Sequence, residues 1–406
     1  MDVMQKTDPA PKARQPIHIG LLWHSASSGN LGVGALTVGN MTLAREVAAH
    51  MGLEPRFTIL SMRDGDAPLD LGSDVEIFRI DTRAMLSPSG FWRTLSRLDC
   101  VLDIGAGDSF ADIYGPKRFA FLWLSKMLTI LRGVPLVLSP QTIGPFTKPL
   151  YRALGAMAMR RSTATFARDE QSLAVARAMA PRARAELAVD VAFVLPFEDR
   201  SAERGGAKIR VGVNASGLLF HQAETGANRF GLSYDYAEFT RALLAALSAR
   251  EDVEVHLIIH ATSNGDPTDD DGRLADRLVQ AFPSVIRVPN FATPSAAKSA
   301  ISGLDFLVAA RMHACIGALS AHTPVVPVAY SRKFSGLFGL LGYDHVLPMH
   351  AFTVENAVDF VLERIERRAE LAQAEADANR RVKDLLDVYR GALKHLFSAA
   401  TRRHGA

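Results

Sequence analysis

Cysteine is nearly absent. Cys100 and Cys315 are the only two in 406 residues, and each lies in or beside an apolar segment. They support neither a disulfide framework nor a zinc pattern, and a reducing cytoplasm is the simplest reading. Long apolar runs are missing too. The nearest candidate, Phe119–Leu131, is too short to span a bilayer and is interrupted by Lys126, so no transmembrane helix is expected. No charge of one sign dominates: 46 basic residues face 43 acidic ones, a net charge of +3. That balance gives no footprint for nucleic acid or for an anionic membrane. The opening MDVMQKTDPAPKARQP has no apolar core of the kind a secretory signal needs. Residues 1–16 are expected to be a disordered lead-in.

What is present is an alternation of short apolar strands with helices. Strands are expected at His18–Trp23, Arg56–Met62, Glu76–Ile80, Cys100–Ile104, Pro135–Ser139 and Ala164–Arg168, with helices at Ala35–His50 and Phe119–Leu131. Near residue 196 the pattern stops in a polar, glycine-bearing stretch. It then restarts with strands at Ile209–Asn214, Val255–His260, Val285–Val288, Asp305–Ala310 and Val325–Tyr330. Such alternation implies βαβ units and parallel sheets. The fold class is therefore α/β, with two Rossmann-like domains facing a cleft. Residues 17–196 form the N-terminal domain, 197–207 a linker, 208–350 the C-terminal domain, and 351–406 a C-terminal helical segment. Residues 221–231 and 262–272 read as polar loops.

Ligands in open α/β sheets bind beyond the carboxyl ends of the strands. Two apolar runs here end in cations, one in Arg311-Met312-His313 and one in Ser331-Arg332-Lys333. Arginine forks suit carboxylate or phosphate, and an imidazole suits proton transfer. Arg168 ends a further strand; it is either an anion ligand or half of an Arg–Asp structural pair. The turn around Asn30, GNLGVG, is either an anion-binding loop or a plain strand–helix turn, and it fits neither a dinucleotide fingerprint nor a P-loop. Asp103, Asp108 and Asp112 crowd one glycine-bearing loop. Carboxylates there either accept a proton from a sugar hydroxyl or cap the turn. Gln141 and Thr142 follow another strand, Asn214 and Ser216 another, and His260 another. A lone strand-end histidine such as His260 is more often structural. The acidic run Asp269-Asp270-Asp271 reads as helix capping rather than as a metal site.

Taken together, the segments GNLGVGALT, DCVLDIGAGDSFADIYG, VLSPQTIGPF, ARDEQS, DVAFVLP, GVNASGLL and ARMHACIGALSAHTPVVPVAYSRKFSGLF resemble the polysaccharide pyruvyl transferase family, over roughly residues 18–343. One departure is Val33, where the family's first loop commonly carries Asp. The resemblance implies a GT-B-like glycosyltransferase architecture. It implies phosphoenolpyruvate as donor and a hydroxyl pair of a saccharide, free or lipid-linked, as acceptor, with a pyruvate ketal as product. Arg168, Arg311 and His313 are then the donor contacts. His313 is the expected acid and Asp108 or Asp103 the expected base. Lys333 adds charge near the phosphate, and Gln141, Asn30, Asn214, Ser216 and His260 are further substrate-contact candidates. No redox cofactor or metal is required, and oligomeric state stays open. Contact with a membrane would be peripheral, at its inner face. Two alternatives share the expected fold: a nucleotide-sugar glycosyltransferase, and a non-catalytic anion-binding subunit of a synthesis complex.

Overall fold

The computed structural model describes residues 14–62, 69–263 and 265–402. The expected lead-in lies outside the described residues except for 14–16, where the first strand has already begun. The strands of the N-terminal half are β1 (Gln15–Leu22), β2 (Leu53–Ser61), β3 (Val75–Arg79), β4 (Cys100–Asp103), β5 (Leu136–Gln141), β6 (Ala164–Ala167) and β7 (Ala185–Leu187). They form one parallel sheet in the order β3-β2-β1-β4-β5-β6-β7. A second parallel sheet holds β8 (Ile209–Asn214), β9 (Val253–Leu257), β10 (Ile286–Arg287), β11 (Phe306–Ala309) and β12 (Val325–Pro327), in the order β10-β9-β8-β11-β12. Central strands such as β4 and β11 are buried along their whole length. That is what a parallel sheet covered by helices on both faces requires, and it is why these strands read as unbroken apolar runs.

Strand order reverses between β1 and β4 in the first sheet, and between β8 and β11 in the second. Such switch points open a crevice at the carboxyl ends of the strands. Several segments differ from expectation: the strand expected at Val325–Tyr330 stops at Pro327, and a helix begins at Asp271 inside the expected loop 262–272. β7 is unforeseen, because its three half-buried residues carry no apolar run. β10 shrinks to two residues at the sheet edge. His221–Glu224, expected in a loop, completes a helix (Gly217–Glu224) that Ser216 caps.

Residues 197–207 hold a short 3-10 turn (Ser201–Glu203), and Arg204 fastens them to the second half. Its guanidinium donates to the carbonyls of Ser302 and Ala321. Two helices close the chain, Val354–Glu366 and Arg368–Arg402. The last one touches both halves. Asn379 donates to the Leu319 carbonyl, while the Tyr389 hydroxyl reaches Asn40 at 2.9 Å and Ser139 at 2.8 Å. Among the described residues, no helix is long and apolar enough to cross a membrane.

Candidate active site

The two crevices face each other and enclose a cleft of about 160 Å³. From the first half come Asn30 and Val33 after β1, Ala106, Gly107 and Asp108 after β4, and Arg168 after β6. From the second come His260 after β9, Arg311 and His313 after β11, and Tyr330, Ser331 and Lys333 after β12. The halves approach closely. The first loop pairs with the second half by backbone: the Thr262 N–H donates to the Gly29 carbonyl at 3.0 Å, and the Leu31 N–H to the His260 carbonyl at 3.2 Å. Glycine is required there by space. A Cβ on Gly29 would lie 2.3 Å from the Thr262 carbonyl oxygen, and one on Gly32 would lie 2.3 Å from Nδ1 of His313.

Each cation in the cleft is oriented by a carboxylate. Arg168 donates to Asp190 at 2.7 Å and to the Thr142 hydroxyl at 3.0 Å. Arg311 donates to Asp271 at 2.7 Å and to Asp269 at 2.5 Å. Asp190 and Asp271 are almost wholly buried. Asp271 takes the Nε–Nη2 edge of Arg311 and Asp190 takes Nη1 of Arg168, so Nη1 of Arg311 and Nη2 of Arg168 are the guanidinium nitrogens that these carboxylates leave uncovered. Burial alone would raise the Asp190 pKa, but Arg168 and then His313 pull it well below the usual carboxylate range. Nε2 of His313 sits 3.6 Å from Asp190, just beyond hydrogen-bonding range. Lys333 pairs with Asp108, which also accepts from the Tyr114 hydroxyl at 2.8 Å. Burial works to raise the Asp108 pKa, and Lys333 outweighs it, so the carboxyl stays below its ordinary value.

His260 is drawn down to about 3, first by burial and then by His313 beside it. It is neutral at any ordinary pH and is a poor proton donor. Two helices begin at the cleft, Met312–Ser320 after Arg311 and Arg332–Leu341 after Ser331, and neither has a side chain bonded to its first N–H groups. Open helix starts of this kind attract anions.

Four sequence candidates lie behind the cleft wall instead of on it. Asp103 is fully buried under the β4 loop, 2.7 Å from Lys126, and accepts from the Gly105 N–H. Lys126, which interrupts the apolar helix, is therefore its buried counterion. Gln141 is spent on the carbonyls of Asp103 and Ser139. Asn214 bridges the Ile258 carbonyl, Asp271 and the Arg311 N–H. Ser216 caps its helix. These side chains fix loop shapes through their bonds to loop backbone and to one another.

Asp190 has no role expected from sequence, and two carboxylates of the acidic run do more than the capping expected of it. Asp190 sits alone in an apolar run, and a lone buried charge signals a buried partner. In the acidic run, Asp270 is the helix cap as expected, while Asp269 and Asp271 hold Arg311. Among the described residues, no group of three His, Cys, Asp or Glu side chains is arranged to hold a metal ion.

No curated protein matches the chain in sequence. Solved structures share its fold. Anabaena HepE in complex with UDP-glucose aligns with a TM-score of 0.54 at 12% identity, over 94% of this chain and 100% of that one. A Listeria monocytogenes protein assigned as a UDP-N-acetylglucosamine 2-epimerase aligns at 0.53 and 13%, over 90% and 94%. Staphylococcus aureus MnaA with UDP aligns at 0.53 and 10%, over 89% and 91%. The architecture is thus that of the GT-B glycosyltransferases and epimerases. The model of one sequence family, polysaccharide pyruvyl transferase, matches residues 56–332, more than half of the molecule. That span runs from β2 to the start of the helix after β12 and includes Arg168, Asp190, Arg311 and His313, so the chain belongs to the polysaccharide pyruvyl transferase family.

Proposed function

We propose that this protein transfers pyruvate from phosphoenolpyruvate to two hydroxyls of a saccharide, giving a ketal and inorganic phosphate. The observation that carries the reading is the meeting of Arg168 from one half with Arg311 and His313 from the other in one small cleft. The donor has a carboxylate and a phosphate. Two arginines from opposite halves, each with a guanidinium nitrogen beyond those its carboxylate partner holds, and two open helix starts beside them suit that pair of anions.

In the balanced reaction, the donor's methylene carbon gains a proton and becomes methyl. C2 gains bonds to two acceptor oxygens, and its bond to the phosphate oxygen breaks. Of the two hydroxyl protons released, one matches the proton on the new methyl group and the other leaves with phosphate. His313, with Asp190 3.6 Å behind it, is the candidate to donate the proton or to hold charge on the departing phosphate. Asp108 is the candidate base. Its pairing with Lys333 makes it a weak one, and an arriving phosphate that draws Lys333 away would release it. Asn30 and His260 supply polar wall contacts. No redox cofactor enters this scheme. The reading carries a cytoplasmic location with it, and an acceptor that is free or lipid-linked.

A nucleotide-sugar donor is the second reading, favoured by the fold shared with UDP-binding proteins. Against it, the cleft is smaller than the several hundred Å³ typical of sites for larger ligands. Thermal unfolding separates the two. Phosphoenolpyruvate at 100 times its dissociation constant stabilises the fold by about 2.7 kcal/mol. Arg311→Ala should abolish that shift, and Arg311→Lys should weaken it by losing the fork. A shift with a UDP-sugar and none with phosphoenolpyruvate would sink the pyruvyl reading.

A further inference from the structure

Charge is balanced over the molecule but not over its surface. The stretch from Ile113 to Arg161 holds eight lysines and arginines and no aspartate or glutamate. Only Lys126 among the eight is buried, and it is neutralised by Asp103. The other seven are exposed. They lie on two neighbouring helices of the N-terminal half, Pro116–Leu131 and Pro149–Arg161, and on the turns that enter and leave them.

The same face exposes large apolar side chains at its cleft end. Ile113 is 59% exposed, Tyr114 44% and Leu150 65%. Asp112 brings the two turns together: its carboxylate accepts from the Thr147 N–H, the Thr147 hydroxyl and the Lys148 N–H. Ile113–Tyr114 and Lys148–Leu150 are therefore side by side. Arg118 lies over the Tyr114 ring at 5.6 Å, and Lys148 over the Tyr151 ring at 5.6 Å. The Tyr114 hydroxyl in turn donates to Asp108 in the cleft. Apolar tips with cations beside them thus adjoin the candidate active site through the Tyr114–Asp108 bond.

We infer that this face docks on an anionic lipid bilayer. Water solvates exposed isoleucine and leucine poorly, whereas the boundary between headgroups and acyl chains accepts them, and tyrosine is at home there. Exposed cations from a stretch without aspartate or glutamate suit negative headgroups, each adding attraction within a Debye length. Docking this way turns the cleft mouth toward the bilayer surface, where a saccharide carried on a lipid would be presented. The inference rests on the proposed reaction only for that purpose, since vesicle binding needs neither donor nor turnover.

The test is sedimentation of the full chain with phosphatidylcholine vesicles, with and without phosphatidylglycerol. Binding is expected only with phosphatidylglycerol and should weaken as salt rises. The pair I113D/L150D, and separately K117E/K148E, should each weaken it by about tenfold or more. Both variants should keep the wild-type melting temperature and any stabilisation by phosphoenolpyruvate. Absence of sedimentation with phosphatidylglycerol vesicles overturns the inference, as does binding that neither pair of substitutions weakens. Equal binding to pure phosphatidylcholine removes its electrostatic basis. Protein that ignores vesicles but is held by an anionic polysaccharide would assign the face to that polymer instead. Sound vesicle binding without a phosphoenolpyruvate shift would fault the donor and leave the docking face standing.

Discussion

Asp190 is fully buried, pairs with Arg168 and faces His313 across the boundary between the two halves. Asp190→Asn keeps the shape and removes the charge. Breaking a buried ion pair should cost about 3 kcal/mol of stability, read as a lower melting temperature. It should also lower kcat, because Asp190 holds Arg168 and faces His313 at the cleft. A melting temperature that falls with no change in kcat would make Asp190 a purely structural partner of Arg168. His313→Asn separates chemistry from binding. It should lower turnover by about 100-fold or more while phosphoenolpyruvate still stabilises the fold. If the same variant turned over normally, another group would be the acid, and neutral His260 could not be that group.

The helix that opens at Leu31 shows how a motif's meaning depends on what it meets. Its glycines suggested an anion loop or a plain turn. Instead they allow the first turn of the helix to touch the other half of the molecule. Gly32→Ala would drive a methyl group into the His313 ring. Overpacking of this kind costs about 1–3 kcal/mol, and here relief can come only by moving His313 or parting the halves. Activity should therefore fall much further than thermal stability, measured as kcat against melting temperature for the one variant. Wild-type kcat would show that the loop yields without disturbing the imidazole. Val33 is on the same turn and gives the cleft an apolar wall, with Asp108 a carboxylate on the same lining.

The last helix ties the two halves together, and it carries one buried acid. Glu375 has its pKa pushed up to about 9, mainly by burial, with Arg204 offsetting only part. Between its ordinary value of 4.5 and about 9, the folded chain holds a proton that the unfolded chain releases. Stability from this group is thus complete below the lower value and is lost progressively as pH rises toward the upper one. Glu375→Gln should be more stable than wild type by up to about 3 kcal/mol at neutral pH, with the gain shrinking toward acid. Melting temperatures of both proteins across that range check it. An advantage that is flat with pH would mean Glu375 is ionised in the fold. The balanced charge of the whole chain also hides a segregated basic face, because a sum over residues does not record which of them share a surface.

The sequence by itself determined the α/β class, the two-sheet division and the chief cations of the cleft. Buried parallel strands must be continuous apolar runs, and the residues that end them must stand at the crevice; Arg168, Arg311, His313 and Lys333 were legible for that reason. Tertiary structure alone decided which polar residues face the cleft and which support it. Asp103 and Asp108 are five positions apart on one loop, yet one turns inward to Lys126 and the other outward to Lys333. Asp190, Asp269 and Asp271 acquire their roles only from arginines and a histidine distant in the chain. Spacing along a strand fixes where a side chain starts, but burial and partner charge fix where it points, and both come from segments brought together by folding.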